Sequence, residues 1–274
     1  GALGPDLFGE QVDHNTGSTS FSVTDIDLPG NNALPVRLTR TMKISVSDGF
    51  PHLVPIGATV AGIAGQGSSG WSIEVPNLSG IFTTGTGTSP DLQKYGWKAD
   101  GPTPNARCSS GSGLPPRFES LDGISGEPYN YWSGNRLSVP GQVSGDILLT
   151  TATTQNNSAQ PARWTNKEHW LLTCQPTIQN GSGEGFLVTS PDGTKYYFNR
   201  MIVRNGNNRY SRIPFFTTAT GGTVKMNRGR IFLVATRVED RFGNYVLYNY
   251  DSANKLTSIS ASDGRLISFT YNTS

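Results

Sequence analysis

The feature that most constrains this chain is a repeat near its end. Shifted by 21 positions, Ala235 falls on Leu256, Thr236 on Thr257, Val238 on Ile259, Gly243 on Gly264, Val246 on Ile267, Tyr248 on Phe269 and Tyr250 on Tyr271. After each shared glycine, apolar residues recur at every second position: Val246, Tyr248 and Tyr250, then Ile267, Phe269 and Tyr271. That is the period of a strand with one buried face. Asp263-Gly264, set between two apolar runs, marks a hairpin, because glycine takes a positive φ at no steric cost. Each unit therefore reads as a strand, a turn and a strand. A weaker copy lies in Phe186 to Asn199, where Val188, Tyr196 and Phe198 keep the same offsets from Gly193. One such pair cannot bury its apolar face alone, so a repeat this short predicts a sheet built by stacking units. The chain stops at Ser274, straight after a strand, and is expected to be a fragment whose sheet continues in a parent protein.

The residues Gly243, Tyr248, Tyr250-Asp251, Lys255-Leu256-Thr257-Ser258, Asp263-Gly264-Arg265, Phe269 and Tyr271-Asn272 resemble the YD repeat of bacterial RHS proteins. That pattern combines a glycine, a Tyr-Asp pair, a Leu-Thr segment and an Asp-Gly-Arg turn. Asn272 departs from it, standing where the family usually has aspartate. Residues Gly9 to Arg40 are similar to the opening segment of such proteins, in which a Thr-Gly strand start precedes a Leu-Pro-Gly turn. The resemblance covers about a quarter of the chain. It implies a hollow shell of spiralling β-hairpins, a toxin cargo held inside, and a bacterial protein that is secreted or displayed at the cell surface. The partners it implies are the remaining repeats and cargo of the same parent chain.

Composition sets independent limits. Of 274 residues, 33 are glycine and 17 proline, while only 15% are charged. Many short strands joined by turns need that supply of turn residues. No stretch sustains a helical apolar stripe over three turns, so the expected class is all-β, antiparallel, with almost no helix. The length is ample for a buried core. A net charge of +2 is too small for a protein that binds nucleic acid by neutralising phosphates. No apolar run approaches the roughly 20 residues of a membrane span.

Thr19, Phe21 and Val23 alternate, Asp27-Leu28-Pro29-Gly30 turns the chain, and Leu34, Val36 and Leu38 alternate again, with Pro35 favouring a strand start or edge. Trp71, Ile73 and Val75 share a face. Residues 83–146 are the least regular part, interrupted by glycine and proline before any pattern reaches five residues. Strand-like sequence returns at Asp146 to Thr151 and Trp164 to Cys174. The polar stretch Thr154 to Pro161 suggests a boundary between a loop-rich β domain, 1–160, and a hairpin domain, 161–274. Ile231 to Val238 begins apolar on both faces, as in a strand covered on both sides. Two units of 21 residues also approach one blade of a β-propeller, the alternative architecture.

Candidate sites are few. Cys108 and Cys174 are the two cysteines. In an exported protein such a pair can close one disulfide, here tying a long loop to the sheet; the alternative is two unrelated thiols. Tyr129, Tyr131 and Trp132 combine aromatic area with a neighbouring amide and form the best platform for a glycan or a surface receptor. They define the competing class, an adhesin or carbohydrate-binding module. Gly65-Gln66-Gly67-Ser68-Ser69-Gly70 matches a dinucleotide fingerprint, but a strand ended by proline follows where a helix is required, so no cofactor is expected. His14, His52 and His169 stand apart from one another and from the cysteines, which leaves no metal spacing. Glu168-His169 reads as a strand-surface pair rather than half of an acid/base couple. Asp25 and Asp27, near Asn31 and Asn32, have the oxygen ligands calcium takes, although loop acids more often bond their own backbone. The cations Arg200, Arg204, Arg209, Arg212, Lys225, Arg228 and Arg230 read as a solvated face. No catalytic residue is assigned.

Overall fold

A computed structural model describes residues 10–13, 18–44, 71–83, 107–109, 118–119, 125–126, 134–150, 162–205, 211–217, 223–226 and 228–271. Among them every regular element is a strand. In chain order these are β1 (Glu10–Asp13), β2 (Ser18–Leu28), β3 (Val36–Ile44), β4 (Trp71–Ile73), β5 (Asn77–Thr83), β6 (Phe118–Glu119) and β7 (Ser125–Gly126). Next come β8 (Asn135–Val139), β9 (Val143–Asp146), β10 (Leu148–Leu149), β11 (Trp164–Thr165), β12 (Leu171–Gln175), β13 (Gly185–Thr189) and β14 (Lys195–Asn205). The last are β15 (Ser211–Thr217), β16 (Thr223–Met226), β17 (Arg228–Glu239), β18 (Tyr245–Tyr250), β19 (Leu256–Ala261) and β20 (Leu266–Ser268). Two compact units result, one of residues 1–75 with 236–274 and one of residues 76–235. The boundary read at Thr154 to Pro161 lies outside the described residues.

In the unit of residues 76–235 the strands follow the order β9-β8-β5-β17-β14-β13-β12-β11-β10. The two ends of that order, β9 and β10, are consecutive in sequence and separated by the buried Ile147 alone. The sheet is thus a nearly closed, barrel-like ring. Leu233, Leu78 and Leu137 stand side by side on three neighbouring strands and are fully buried. Leu172, Val188 and Tyr196 make a second buried row. Each such aliphatic or aromatic side chain contributes about 1.5–3 kcal/mol by leaving water. Tyr196 donates its hydroxyl to Gln142 Oε1 at 3.0 Å, and Trp170 lies 5.3 Å from its ring. Burial pushes the Tyr196 phenol up to about 12. Ile231, Phe232, Leu233, Val234 and Ala235 are all buried, the two-sided cover their sequence predicts.

The hairpin β8–β9 falls inside the stretch that reads as irregular. Its signal is Pro140-Gly141, where Gly141 has φ 73° and Gln142 N–H donates to Val139 O at 3.0 Å. That is a type II turn, with proline and glycine at their preferred places.

In the other unit, β1-β2-β3-β4 form one antiparallel sheet, and the end of β17 with β18, β19 and β20 forms the repeat sheet. β19 and β20 both touch β3. Pro35 sits directly before β3, and Leu34, Val36, Ile73 and Val75 are buried. Alternation misleads in β2: Val23, on the face of Thr19 and Phe21, is exposed, and beyond it a bulge between Thr24 and Ile26 interrupts the period, with Ile26 exposed as well. The 21-residue shift superposes the end of β17 on β19 and β18 on β20.

One turn recurs through both units. In Ser190–Thr194, Asp240–Asn244, Asp251–Lys255 and Ala261–Arg265, the first residue's N–H donates to the fifth residue's carbonyl at 2.9–3.0 Å. The fourth residue's N–H returns to the first residue's carbonyl at 2.9–3.2 Å. This is a three-residue hairpin loop whose fourth position must be left-handed. Gly193, Gly243 and Gly264 have φ of 87–91° there, and Asn254 has 63°. Asp263-Gly264 therefore closes a loop one residue longer than the two-residue hairpin its dipeptide suggests. Asn166–Trp170 has the same core, with His169 at φ 61° in the fourth place and its N–H bonded to Asn166 O at 3.1 Å. The exposed His169 is consequently a turn residue, not a strand-surface one.

A left-handed conformation costs an ordinary L residue roughly 1–2 kcal/mol, and glycine returns part of that gain through unfolded-chain entropy. His169→Gly should therefore raise stability by about 0.5–1 kcal/mol in urea titration. A loss of stability would show that the histidine ring itself holds the turn.

Candidate functional site

The turns share more than backbone. In each, a side-chain oxygen accepts the N–H that follows the left-handed residue: Asp192 from Thr194 at 3.0 Å, Asp240 from Asn244 at 2.9 Å, Asp251 from Lys255 at 2.8 Å and Asp263 from Arg265 at 3.4 Å. Asn166 does the same for Trp170 at 2.9 Å. The acceptor stands either first in the turn or third, and from both places a short side chain reaches that amide. Hydrogen bonds from Ser190, Asn244 and Arg265 respectively hold the carboxyls of Asp192, Asp240 and Asp263 below the usual aspartate value.

At the fourth repeat turn the fifth residue is Arg265, and its side chain enters the loop between β2 and β3. Nη1 donates to Leu28 O at 3.1 Å and Leu34 O at 3.2 Å, and Nη2 donates to Asn32 Oδ1 at 3.1 Å. Nε donates to Asp263 Oδ1 at 2.9 Å, while Nη2 lies 2.9 Å from Asp263 Oδ2. Asn32 completes the set, with Nδ2 donating to Asp263 Oδ2 at 3.1 Å and Oδ1 also accepting Leu34 N–H at 3.0 Å. The side chains of Arg265 and Asp263 are each only 10% exposed. An ion pair removed from water to that degree is stable only when its remaining donors and acceptors are satisfied. Here two backbone carbonyls and one amide side chain do so. Gly30 makes the room: a β-carbon there would lie 2.5 Å from Arg265 Nε and Nη1 and closer still to Cζ. The chemistry of this cluster is recognition, with a planar cation meeting fixed acceptors across 231 positions of sequence between Leu34 and Arg265.

A second clamp lies in the unit of residues 76–235. Cys108 and Cys174 are joined by a disulfide with a Cα–Cα distance of 5.3 Å. Glu184 Oε2 accepts the N–H groups of Cys108 and Ser109 at 2.9 and 2.8 Å, and Arg107 Nη1 donates to the carbonyls of Ser182 and Glu184 at 2.8 and 3.0 Å. Trp164 Nε1 donates to Cys108 O at 3.0 Å. Burial works against the Glu184 charge, yet the bonds from Ser109 and Cys108 outweigh it and lower its pKa; burial also lowers that of Arg107. The segment 107–109 is thus fastened to β12 by a covalent bond, to the loop before β13 by four hydrogen bonds and to β11 by a fifth.

The other sequence-predicted residues take varied places. Val246 and Ile267 are buried in the repeat sheet, and Tyr248, Tyr250, Phe269 and Tyr271 are half-buried on it. Phe269 and Tyr271 stack on each other 6.5 Å apart, and Tyr271 donates its hydroxyl to Leu256 O at 2.5 Å. Tyr129, Tyr131 and Trp132 lie outside the described residues. Asp25 is held by Arg40 at 2.5 and 2.7 Å, so its oxygens serve an ion pair at the surface, and Asn32 serves Arg265. Among the described residues no cluster of histidine, cysteine, aspartate or glutamate is disposed to hold a metal. Among the described residues there is no helix long and apolar enough to cross a membrane. The side chains of Arg204, Arg209, Arg212, Lys225, Arg228 and Arg230 lie outside the description. Neither the loop that receives Arg265, legible only as a turn, nor the Arg107–Glu184 clamp carries a local sequence signal of a binding site.

The chain matches no protein-family model and no curated protein.

Two outcomes follow from the Arg265 cluster. Gly30→Ala acts by displacing the guanidinium, so it and Arg265→Ala should each lower the melting temperature by roughly 5 °C, and the double variant by no more than either alone. Additive losses in calorimetry would separate the two residues. The second outcome concerns acid. Because Asp263 has its pKa lowered in the fold, its contribution is complete above pH 3.8, its ordinary value, and is lost as pH falls through the lower folded value. Asp263→Asn should therefore be less stable than wild type at neutral pH and converge with it below pH 3.8. Parallel curves throughout that range would contradict the assignment.

Proposed function

We propose that the chain is a non-catalytic wall segment of an RHS/YD-repeat protein of the toxin type, beginning or capping a hollow β shell. Its place is outside the bacterial cell or at its surface. Its partner is the remainder of the same parent chain, with further repeats and a cargo. The observation that carries this reading is how the repeat builds: Asp240–Asn244, Asp251–Lys255 and Ala261–Arg265 use one turn geometry at intervals of 10 or 11 residues, each adding an antiparallel strand to the last. Such a unit buries its apolar face only against neighbours, so it is suited to forming wall rather than a pocket. Among the described residues β20 pairs with β19 alone, which leaves its other edge able to take another strand. The passive mechanism is a continuous hydrogen-bonded sheet between cargo and solvent, with cross-strand contacts of about 0.2–1 kcal/mol each adding up to rigidity.

The test is to append one further copy of residues 251–271 after Tyr271 and compare it with a scrambled insert of equal composition. The added unit should protect the β20 amides from hydrogen exchange and raise the melting temperature by a few degrees. An appended copy that stays unprotected and leaves β20 unchanged would contradict the wall reading.

A further inference from the structure

We infer that the loop Leu28–Leu34 is a guanidinium-selective recognition site, filled by the fifth residue of a repeat turn, so that Arg265 decides which turn the β2–β3 hairpin accepts. The inference rests on the Arg265 cluster and stands apart from the shell reading. Four turns have the same backbone bonds, so backbone alone cannot tell them apart. They differ in the fifth residue: Thr194, Asn244, Lys255 and Arg265.

The acceptors of the loop suit a planar fork. Leu28 O and Leu34 O both lie on Nη1, Asn32 Oδ1 on Nη2, and the Asp263 carboxylate lies along Nε and Nη2. Five N–H groups fixed in one plane can meet that set together, whereas an ammonium is a point charge with three rotatable donors. Asn32 reads both ends of the Asp-Gly-Arg motif, since its oxygen accepts from Arg265 and its nitrogen donates to Asp263. The lysine at the same place in the preceding turn shows the contrast. Lys255 Nζ sits 5.3 Å from the centre of the Tyr271 ring, an arrangement that asks only for a positive charge.

The experiment uses the whole chain and reads the exchange rate of the Leu34 amide, whose bond to Asn32 Oδ1 forms part of the site. Arg265→Ala should speed that exchange by about tenfold or more. Methylguanidinium chloride at millimolar concentration, far below the molar range in which guanidinium unfolds proteins, should restore protection by filling the space the side chain leaves. Methylammonium chloride at the same ionic strength should not. Amides of β13 and β14 serve as the reference and should not change. Arg265→Lys should lose Leu34 protection as far as Arg265→Gln does, and this pair decides the matter if the alanine variant does not fold. Equal rescue by both cations, rescue by neither, or a lysine variant indistinguishable from wild type would overturn the inference.

Discussion

A guanidinium that is nearly out of water must find an acceptor for each of its donors, and that requirement joins the β2–β3 hairpin of this chain to its last repeat. Arg265 meets it with one carboxylate, one amide oxygen and two carbonyls from a loop more than 200 residues away in sequence. Neither segment supplies the full set alone. The loop between β2 and β3 presents carbonyls that need donors, and the Asp-Gly-Arg turn presents donors that exceed its own acceptors. Gly30 is required for the same reason, because any side chain there would take up the space of the cation. The unit made of residues 1–75 and 236–274 is discontinuous in sequence, and this cluster is where its two pieces are chemically specific for each other. Packing of β19 and β20 near β3 brings the same two pieces together without that specificity.

A single solution to a local problem also explains why the repeat repeats. A three-residue hairpin loop places one residue in the left-handed region and turns the following amide inward, away from the ladder. Glycine or asparagine answers the first demand, and an aspartate two or four residues before that amide answers the second. Once both residue types are present the strands on either side have their register fixed, and an alternating apolar face follows. The sheet then grows by repetition of a turn rather than by any long-range instruction. In Asn166–Trp170 the geometry survives with His169 in the strained place and Asn166 as the acceptor, so the aspartate-glycine pair is the commonest wording of this turn and not its only one.

Much of this could be read from residue type and spacing. The glycines at 193, 243 and 264, the alternating runs after them, and the double-sided apolar start of β17 each report a local backbone requirement. The all-β class, free of helix among the described residues, follows from them. The turn at Asn254 was not legible, because asparagine is compatible with many conformations and its left-handed φ is set by the flanking strands. His169 gave no signal for the same reason. In β2 alternation predicts burial of Val23, which is exposed, and the bulge between Thr24 and Ile26 has no mark in residue type. The receiving loop was legible as a turn and invisible as a site. Asn32 read as a loop residue beside acids that bond their own backbone or, less commonly, hold calcium, since a sequence shows which groups it has and not which distant cation reaches them. The pairing of Cys108 with Cys174 was one of two readings, and the geometry at 5.3 Å is what distinguishes a bridge from two separate thiols.

The most direct test of the account is the state of the Arg265 guanidinium in solution. In nitrogen-labelled protein, its Nε and Nη protons should appear as separate, slowly exchanging resonances with close contacts to protons of Leu28, Asn32 and Leu34. A single averaged signal exchanging with water at the rate of free arginine would mean that the two pieces of this unit are not joined as described.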